Sequence, residues 1–539
     1  MKKRTLKPVF AATLAATLML TACGGGAATT ATTAAATTAA ATTAEETTTA
    51  EATTVATEAK IVKDEIVVAY NSDVVSMDPQ NQSDVASGLI IRHIFNRLMS
   101  ISDDGELGMD LVESYEMVDD TTYRFKIKEG VKFHDGTDLT TADVKFTLER
   151  AKTMSSTISS ASHIDEIIVD SDHEFTLKLT APYPAILYVL GNMNFSIVPE
   201  HIINEQGAEA FAANPIGSGP FKFVEWEPLD HWTIERYDEY VDGPALASKI
   251  TVKVVPEAGN RCINLETGEA DIALRLSEID VPNVENNKDL IAYAEVGASI
   301  EFMGMNCENE YFDDVRVRQA VNYAINKQEI VDTILEGRGE PANTYVGKTI
   351  PSYNPDQEDY PFDVEKAKEL MKEAGHEDGF DVTITVNGDV RTRTATLIQA
   401  QLAEIGINVD IEALEWGTYL DQLKTGELDM YILGWSNSTI DPDRSFSTLF
   451  PSDQCGYDGN NYTFFKNTEV DKLIAEAAVN TDHEARMKQY QKLQALLMEQ
   501  APWVPLFYQQ QPAGTNAKLK GFEYDKNANF YFGNCRYEE

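Results

Sequence analysis

The sequence predicts an α/β fold divided into at least two domains, and three observations carry that expectation. The chain of 539 residues exceeds the roughly 250 to 300 residues at which a single hydrophobic core stops growing. A short apolar run, Ile66 to Tyr70, follows a polar leader in the manner of a first buried strand. Between Asp363 and Trp435, helix and strand patterns alternate at the spacing of a parallel α/β unit.

The first sixty residues stand apart from that fold. Lys2, Lys3, Arg4 and Lys7 precede an apolar stretch from Val9 to Leu20, too short to span a bilayer, which marks a secretion signal. The signal ends in Leu20-Thr21-Ala22-Cys23, which resembles the lipobox of bacterial lipoproteins and implies diacylglyceryl attachment at Cys23. Two acyl chains on one residue anchor a soluble domain stably where one is marginal. From Gly24 to about Ala59 the chain is mostly Ala and Thr, with no aromatic residue, so it buries no apolar area and is expected to be a disordered tether. No later segment is long and apolar enough to cross a membrane, which makes the lipid the expected link to it. The expected place is therefore the extracytoplasmic face of a cell membrane.

Acids outnumber bases by 87 to 44, a formal charge of −43, and this argues against nucleic acid as a partner. The five cysteines include no C-x-x-C pair, so a disulfide scaffold, structural zinc and thioredoxin-type redox chemistry lose their usual support.

Tyr123 to Ile127 alternates apolar and charged residues as a half-exposed strand does. Lys128-Glu129-Gly130 then turns it into an expected second strand, Val131 to Phe133, closed by His134-Asp135-Gly136. Thr141 to Arg150 reads as a helix capped by Thr140 or Thr141. Asp313 and Asp314 precede a helix with Val317, Val321, Ala324 and Ile325 on one face. Asp363 caps another, ended by Gly375, and a further helix runs through Ile398 to Ile405. Ile407, Val409 and Ile411 alternate as a strand, a short helix spans Tyr419 to Lys424, and Met430 to Trp435 reads as a buried strand. A long helix from Asp482 to Gln500 stops before Pro502 and Pro505.

These segments also carry a resemblance. Tyr123 to Arg150, Asn214 to Tyr240 with its Gly-Ser-Gly-Pro turn, Phe312 to Val331, Phe362 to Gly375, Gly434 to Phe446 and Gln500 to Tyr508 resemble, in the same order, the family 5 extracellular solute-binding proteins. These are the oligopeptide, dipeptide and nickel binders of ABC importers. The resemblance covers essentially all of residues 61–539. It implies a two-lobe type II periplasmic-binding-protein fold with an extra subdomain in lobe one. The implied divisions are a signal at 1–22, a tether at 23–60, lobe one at 61–275, lobe two at 276–505 and a return to lobe one at 506–539. Two crossings make a hinge, and closure on a ligand is what an ABC permease with its ATPases is expected to recognise. The expected form is a monomer without a cofactor.

The site is expected where open α/β sheets bind ligands, outside the carboxyl ends of strands. The Met430 to Trp435 strand leads into a loop from Ser436 to Asp443, and the first strand ends at Asn71-Ser72-Asp73. Trp435 and Trp416 would form apolar walls, Asn437 and Ser438 would bond the ligand, and Asp441 or Asp73 would take an amino group. The competing reading has Asp441 capping the following turn and Trp435 in the core. Dipeptide binders of the family place an acid near Ser438, and Arg391 and Arg393 are only neighbours of their carboxylate-binding Arg position. A longer peptide, held by main-chain bonds as an added strand, is therefore the expected ligand. A sugar, a metal chelate or another small solute, and a surface sensor in place of an importer, use the same cleft. A secreted hydrolase finds no support. There is no H-E-x-x-H or G-x-S-x-G motif, Gly217-Ser218-Gly219 reads as a tight turn, and His134-Asp135 reads as a turn pair. The eight dispersed histidines carry no metal-ligand spacing.

Overall fold

The structure, a computed structural model, describes residues 60–82, 84–102, 104–437, 439–456 and 459–539. The secretion signal, Cys23, the tether up to Ala59, and Ser438 lie outside the described residues.

The apolar run near residue 66 forms the strand Glu65–Tyr70, flanked in parallel by Lys249–Val254 and Ile272–Leu274. A strand paired on both sides and packed on both faces reads as a continuous apolar run rather than an alternating one, which is why it was conspicuous. The full sheet of lobe one has seven strands in the order Leu290–Tyr293, Ala513–Asn516, Ile272–Leu274, Glu65–Tyr70, Lys249–Val254, His231–Arg236 and Phe221–Glu227. Lobe two has a six-stranded sheet in the order Gly339–Pro341, Trp503–Gln509, Ser299–Met305, Met430–Ser436, Phe380–Val386 and Ile407–Ala413. Phe380–Val386 runs parallel to both Ile407–Ala413 and Met430–Ser436, the α/β unit expected from the alternation. Each face of this sheet carries its own core, one around Ile384 and Val321, the other around Phe302, Tyr490 and Trp503.

The extra subdomain is a four-stranded antiparallel sheet, Val112–Asp119, Thr122–Ile127, Glu174–Leu179 and Ile164–Val169. Tyr123, Phe125 and Ile127 point into its core while Arg124 is exposed, as the alternation requires. The helix Thr141–Ala151 covers it, with Thr140 and Asp143 closing a reciprocal capping box. Val131 to Phe133 does not form the expected strand. Phe133 N–H donates to Thr137 O and Leu139 N–H to Val131 O, so the segment spends its backbone groups on its own turn and makes only one bridge, Lys132 to Asp138.

Helix limits follow local signals. Asp314, Asp363 and Asp482 cap Val315–Ala324, Val364–Ala374 and His483–Gln500. Gly375 ends the second at φ 86°, and Ala501 ends the third at φ 51° before Pro502.

The chain changes sheets between Tyr293 and Ser299, and again between Gln509 and Ala513. Both crossings lie beyond the expected positions near 276 and 506. The reason is that lobe one holds one more strand, Leu290–Tyr293, which has no partner until Ala513–Asn516 returns beside it. The crossing segments pair through one bridge, Val296 to Gln510, the geometry of a two-strand hinge. Gly297 sits where a Cβ would meet Lys526 O at 2.2 Å, so only glycine lets the crossing segment lie this close to the returning chain. Cys262 and Cys535 belong to lobe one and Cys307 and Cys455 to lobe two, and all four are free thiols. No helix among the described residues is long and apolar enough to cross a membrane.

Candidate functional site

The carboxyl end of Glu65–Tyr70 turns through Asp73. Its carboxylate accepts from Val74 N–H at 2.7 Å, Trp226 Nε1 at 3.0 Å and Leu229 N–H at 2.7 Å. Asp73 thus fixes the hairpin between Phe221–Glu227 and His231–Arg236, where Leu229 is held at φ 66°, and is not the amino-group acceptor expected.

After that turn the helix Val85–Ile94 runs along the interface of the lobes, capped by Asp84, which accepts from Ser87 N–H at 2.8 Å. Ala86, Leu89, Ile90, Ile91 and Ile94 are core residues of lobe one. His93 is buried with them. Its Nδ1 donates to Leu89 O at 2.8 Å, and its Nε2 accepts from Phe532 N–H at 3.0 Å, which fixes a neutral imidazole. Val85, Gly88 and Arg92 of this helix line a cavity of about 240 Å³ between the lobes, and Arg92 brings the charge. One of its terminal nitrogens donates to Asn529 Oδ1 at 2.6 Å, while its Nε is buried without a hydrogen-bond partner.

From lobe two the same cavity is lined by Ser436, Asn437, Ile440 and Arg444. Asn437 sits in the wall, yet its side chain is spent on the loop itself. Nδ2 donates to Asp441 O at 2.7 Å and Ser445 Oγ at 3.0 Å, and Oδ1 accepts from the N–H and hydroxyl of Thr439. It shapes the loop rather than offering the free amide expected. Asp441 follows the capping alternative. It accepts from Asp443 N–H at 2.8 Å at the start of Pro442–Leu449, and both its oxygens pair with Arg486 at 2.6 Å in a fully buried bidentate contact. A carboxylate so committed has no place for an amino group, and that expectation is corrected.

Trp435 donates Nε1 to Ser445 Oγ at 3.0 Å and lines a second cavity of about 280 Å³, on the other side of Ser436, with Arg275, Glu301 and Arg391. Arg391 is held there by Glu301 through two contacts at 2.9 and 3.0 Å, and the exposed Arg393 lies 3.4 Å from Asp389 outside both cavities. Trp416 begins the helix Trp416–Leu423, is 45% exposed and lines neither cavity. Arg275 at φ 55° and Ile440 at φ 60° are non-glycine residues in the left-handed region, one beside each cavity, where backbone strain often marks a working site.

Two larger hollows lie nearby. One of about 530 Å³ at the hinge has its cations already paired, Lys348 with Glu340 and Lys526 with Asp104. The other, of about 640 Å³, lies between the subdomain and lobe two and is walled by Tyr115, Met117, Tyr123, Leu187 and Tyr188.

The features that suggested hydrolysis are structural. His134 Nε2 donates to Gly219 O at 2.9 Å, while Asp135 instead partners His201 at 2.7 Å. Gly217 and Gly219 let the turn press on the Ile94 backbone, and Ser218 is buried against Asn96. Among the described residues no group of three or more His, Cys, Asp or Glu could hold a metal ion.

The residues that sequence reasoning missed are Arg92, Arg444 and Asn529. Arg92 did leave a signal, a single permanent cation inside the apolar run Gly88-Leu89-Ile90-Ile91-Arg92-His93-Ile94.

Two lobes, a two-strand hinge and a cavity walled by both lobes define a solute-binding protein. Residues 106–457 match the family described as bacterial extracellular solute-binding proteins, family 5 Middle, and the chain belongs to that family. It is 28% identical to the glutathione-binding protein GsiB of Escherichia coli K12, over 89% of this chain and 96% of that one. Among solved structures it is similar to DppA of Helicobacter pylori in complex with the peptide STSA, with 27% identity, a TM-score of 0.75, and 88% and 98% of the two chains covered. It is also similar to the oligopeptide-binding protein AppA of Bacillus subtilis in complex with a nonapeptide, at 27% identity and a TM-score of 0.73, over 89% of this chain and all of that one. These relatives are substrate-binding proteins and not enzymes, and so is this chain.

Proposed function

We propose that the protein is the lipid-anchored receptor of an ABC importer, that it captures short peptides between its lobes, and that it hands them to the permease in the closed form. The observation that supports this most is the cavity itself. Ser436 at the end of a lobe-two strand and Arg92 on a lobe-one helix wall the same space, so a ligand there touches both lobes and favours closure. Relatives of the family whose names or bound ligands are peptides lend weight to that ligand class. Other solutes of similar size, sugars and metal chelates among them, are the competing ligands.

Calorimetric titration of the purified full chain against a panel of tri- to hexapeptides, maltotriose and nickel-histidine is the test, together with mass spectrometry of any ligand carried through purification. Peptide binding at micromolar or tighter Kd, with no turnover of the peptide, is expected. Binding of a sugar or a chelate with none to any peptide would remove the peptide assignment and leave the fold untouched. The anchor has its own test. Cells fed a radiolabelled fatty acid should label this protein, and Cys23→Ala should abolish both the label and retention in the membrane fraction. Retention without label would show that another element holds it there.

A further inference from the structure

We infer that the ligand is bound as an anion, its carboxylate gripped by Arg92 from lobe one and Arg444 from lobe two. This rests on the interlobe cavity being the site of capture, and it specifies the chemistry that the cavity selects. Arg92 is largely buried and meets only neutral acceptors, Asn529 Oδ1 at 2.6 Å and Met193 Sδ at 3.2 Å, while its Nε has no partner. Arg444 is half-buried, and its guanidinium makes no hydrogen bond or ion pair with any described residue. The third cation of the lining, Arg97, is already engaged, donating to Gly191 O at 3.0 Å and lying 3.8 Å from Asp110.

Negative charge around the cavity falls short of this. Asp84 is spent as a helix cap, and Asp110 faces Arg97. The Asp525 charge favours the Arg92 cation, yet burial and the Arg97 charge outweigh it and lower the Arg92 guanidinium to about 9. A cation taken out of water without a counter-ion is costly, and guanidinium meets carboxylate through short, charge-assisted, often paired hydrogen bonds.

The placement on opposite lobes adds a mechanical consequence. Closing the empty cleft brings two positive groups toward one another, which opposes closure. An anion between them reverses the sign of that term, so it contributes where the closed and open forms differ and shifts the population toward the closed one. A neutral ligand of the same shape gains the contacts but not this reversal.

The test uses the full chain and two isosteric peptides, Ala-Ala-Glu and Ala-Ala-Gln amide, with succinate and maltotriose alongside. Ala-Ala-Glu is expected to bind about 10- to 100-fold more tightly than the amide, the size of one or two hydrogen bonds to a charged group. Arg444→Gln should remove most of that preference, weakening the acid about tenfold more than it weakens the amide, and Arg92→Gln should do the same. Arg444 is half-exposed, so its variant is the one expected to fold normally even if Arg92→Gln does not; thermal unfolding checks both. Small-angle scattering should show compaction with Ala-Ala-Glu and not with an equal concentration of the amide. Equal affinity for acid and amide, or equal loss of both in Arg444→Gln, overturns the inference while peptide capture stands. If no peptide binds but succinate does, peptide capture fails and the inference survives. Binding of maltotriose alone, or of nothing in the panel, overturns both.

Discussion

Arg486→Met is expected to lower the stability of lobe two by about 3 to 5 kcal/mol, the usual cost of removing one partner from a buried ion pair. Arg486 and Asp441 are each only 2% exposed. Burial works against the Arg486 charge, and the Asp441 carboxylate overrides it, so the guanidinium titrates above its ordinary range. Asp441 does not stand alone. The neighbouring Asp443 is also buried, its carboxyl pushed up first by burial and then by the Asp441 charge, with Ser447 and Tyr490 donating to it. Arg486 bonds Asp441 alone but its charge also acts on Asp443, so its loss strands one buried carboxylate and removes a favourable field from the other. Urea unfolding of Arg486→Met against the double variant Asp441→Asn/Arg486→Met measures this, because Asn keeps the helix cap while removing one buried charge. The double variant should recover a clear part of the loss. A single variant within about 1 kcal/mol of the parent would refute the account.

Acid should destabilise lobe one through His93. Burial, and then the adjacent Arg92 charge, lower its imidazole from 6.5 to about 3, against a raising contribution from the bond to Leu89 O. The ring lies between Tyr531 and Phe532, stacked at 5.2 and 5.3 Å, with Phe221 edge-on at 5.7 Å. Above pH about 6.5 the group is neutral in both states and contributes no pH dependence. Between about 6.5 and 3 the unfolded chain binds a proton that the folded one refuses, so stability falls as pH falls, by about 1.4 kcal/mol per unit from this group. The limit is on the order of 5 kcal/mol near pH 3. His134, lowered to about 4 by burial, acts in the same direction, whereas buried Asp110 and Asp443, whose carboxyls are raised, act against it. The informative quantity is therefore the difference between parent and His93→Gln in urea midpoint across pH 7 to 4. The variant should be weaker at pH 7, and its deficit should shrink steadily as the buffer is acidified. Parallel profiles would show that His93 does not titrate as its burial requires.

How far the sequence was legible depends on the range of the interactions involved. The caps Thr140 and Asp363, and the helix starts at Asp314 and Asp482, are legible because such a signal is settled within three residues. The strand ending at Ser436 was found because apolar periodicity is equally local. The roles of Asp73 and Asp441 were not, since their partners Trp226 and Arg486 lie 153 and 45 residues away. Val131 to Phe133 failed for a related reason: its residues are apolar enough for a strand, but no neighbouring chain arrives to pair with them. Arg92 was legible in principle, because a permanent cation within an apolar run demands an explanation wherever it occurs.

The hinge topology also sets an order of assembly. Every strand of the lobe-two sheet comes from the continuous stretch between Ser299 and Gln509, so that lobe has all its partners before the last residues are in place. Lobe one does not. Ile272–Leu274 and Leu290–Tyr293 meet only through Ala513–Asn516, and Ile61–Lys63 pairs with Arg536–Glu538 across almost the whole described chain. Contacts of such sequence separation form late because the loop between them must first be closed. During export the lobe that emerges first would have to wait for the last segment, exposing a half-finished sheet edge to whatever chaperone attends it.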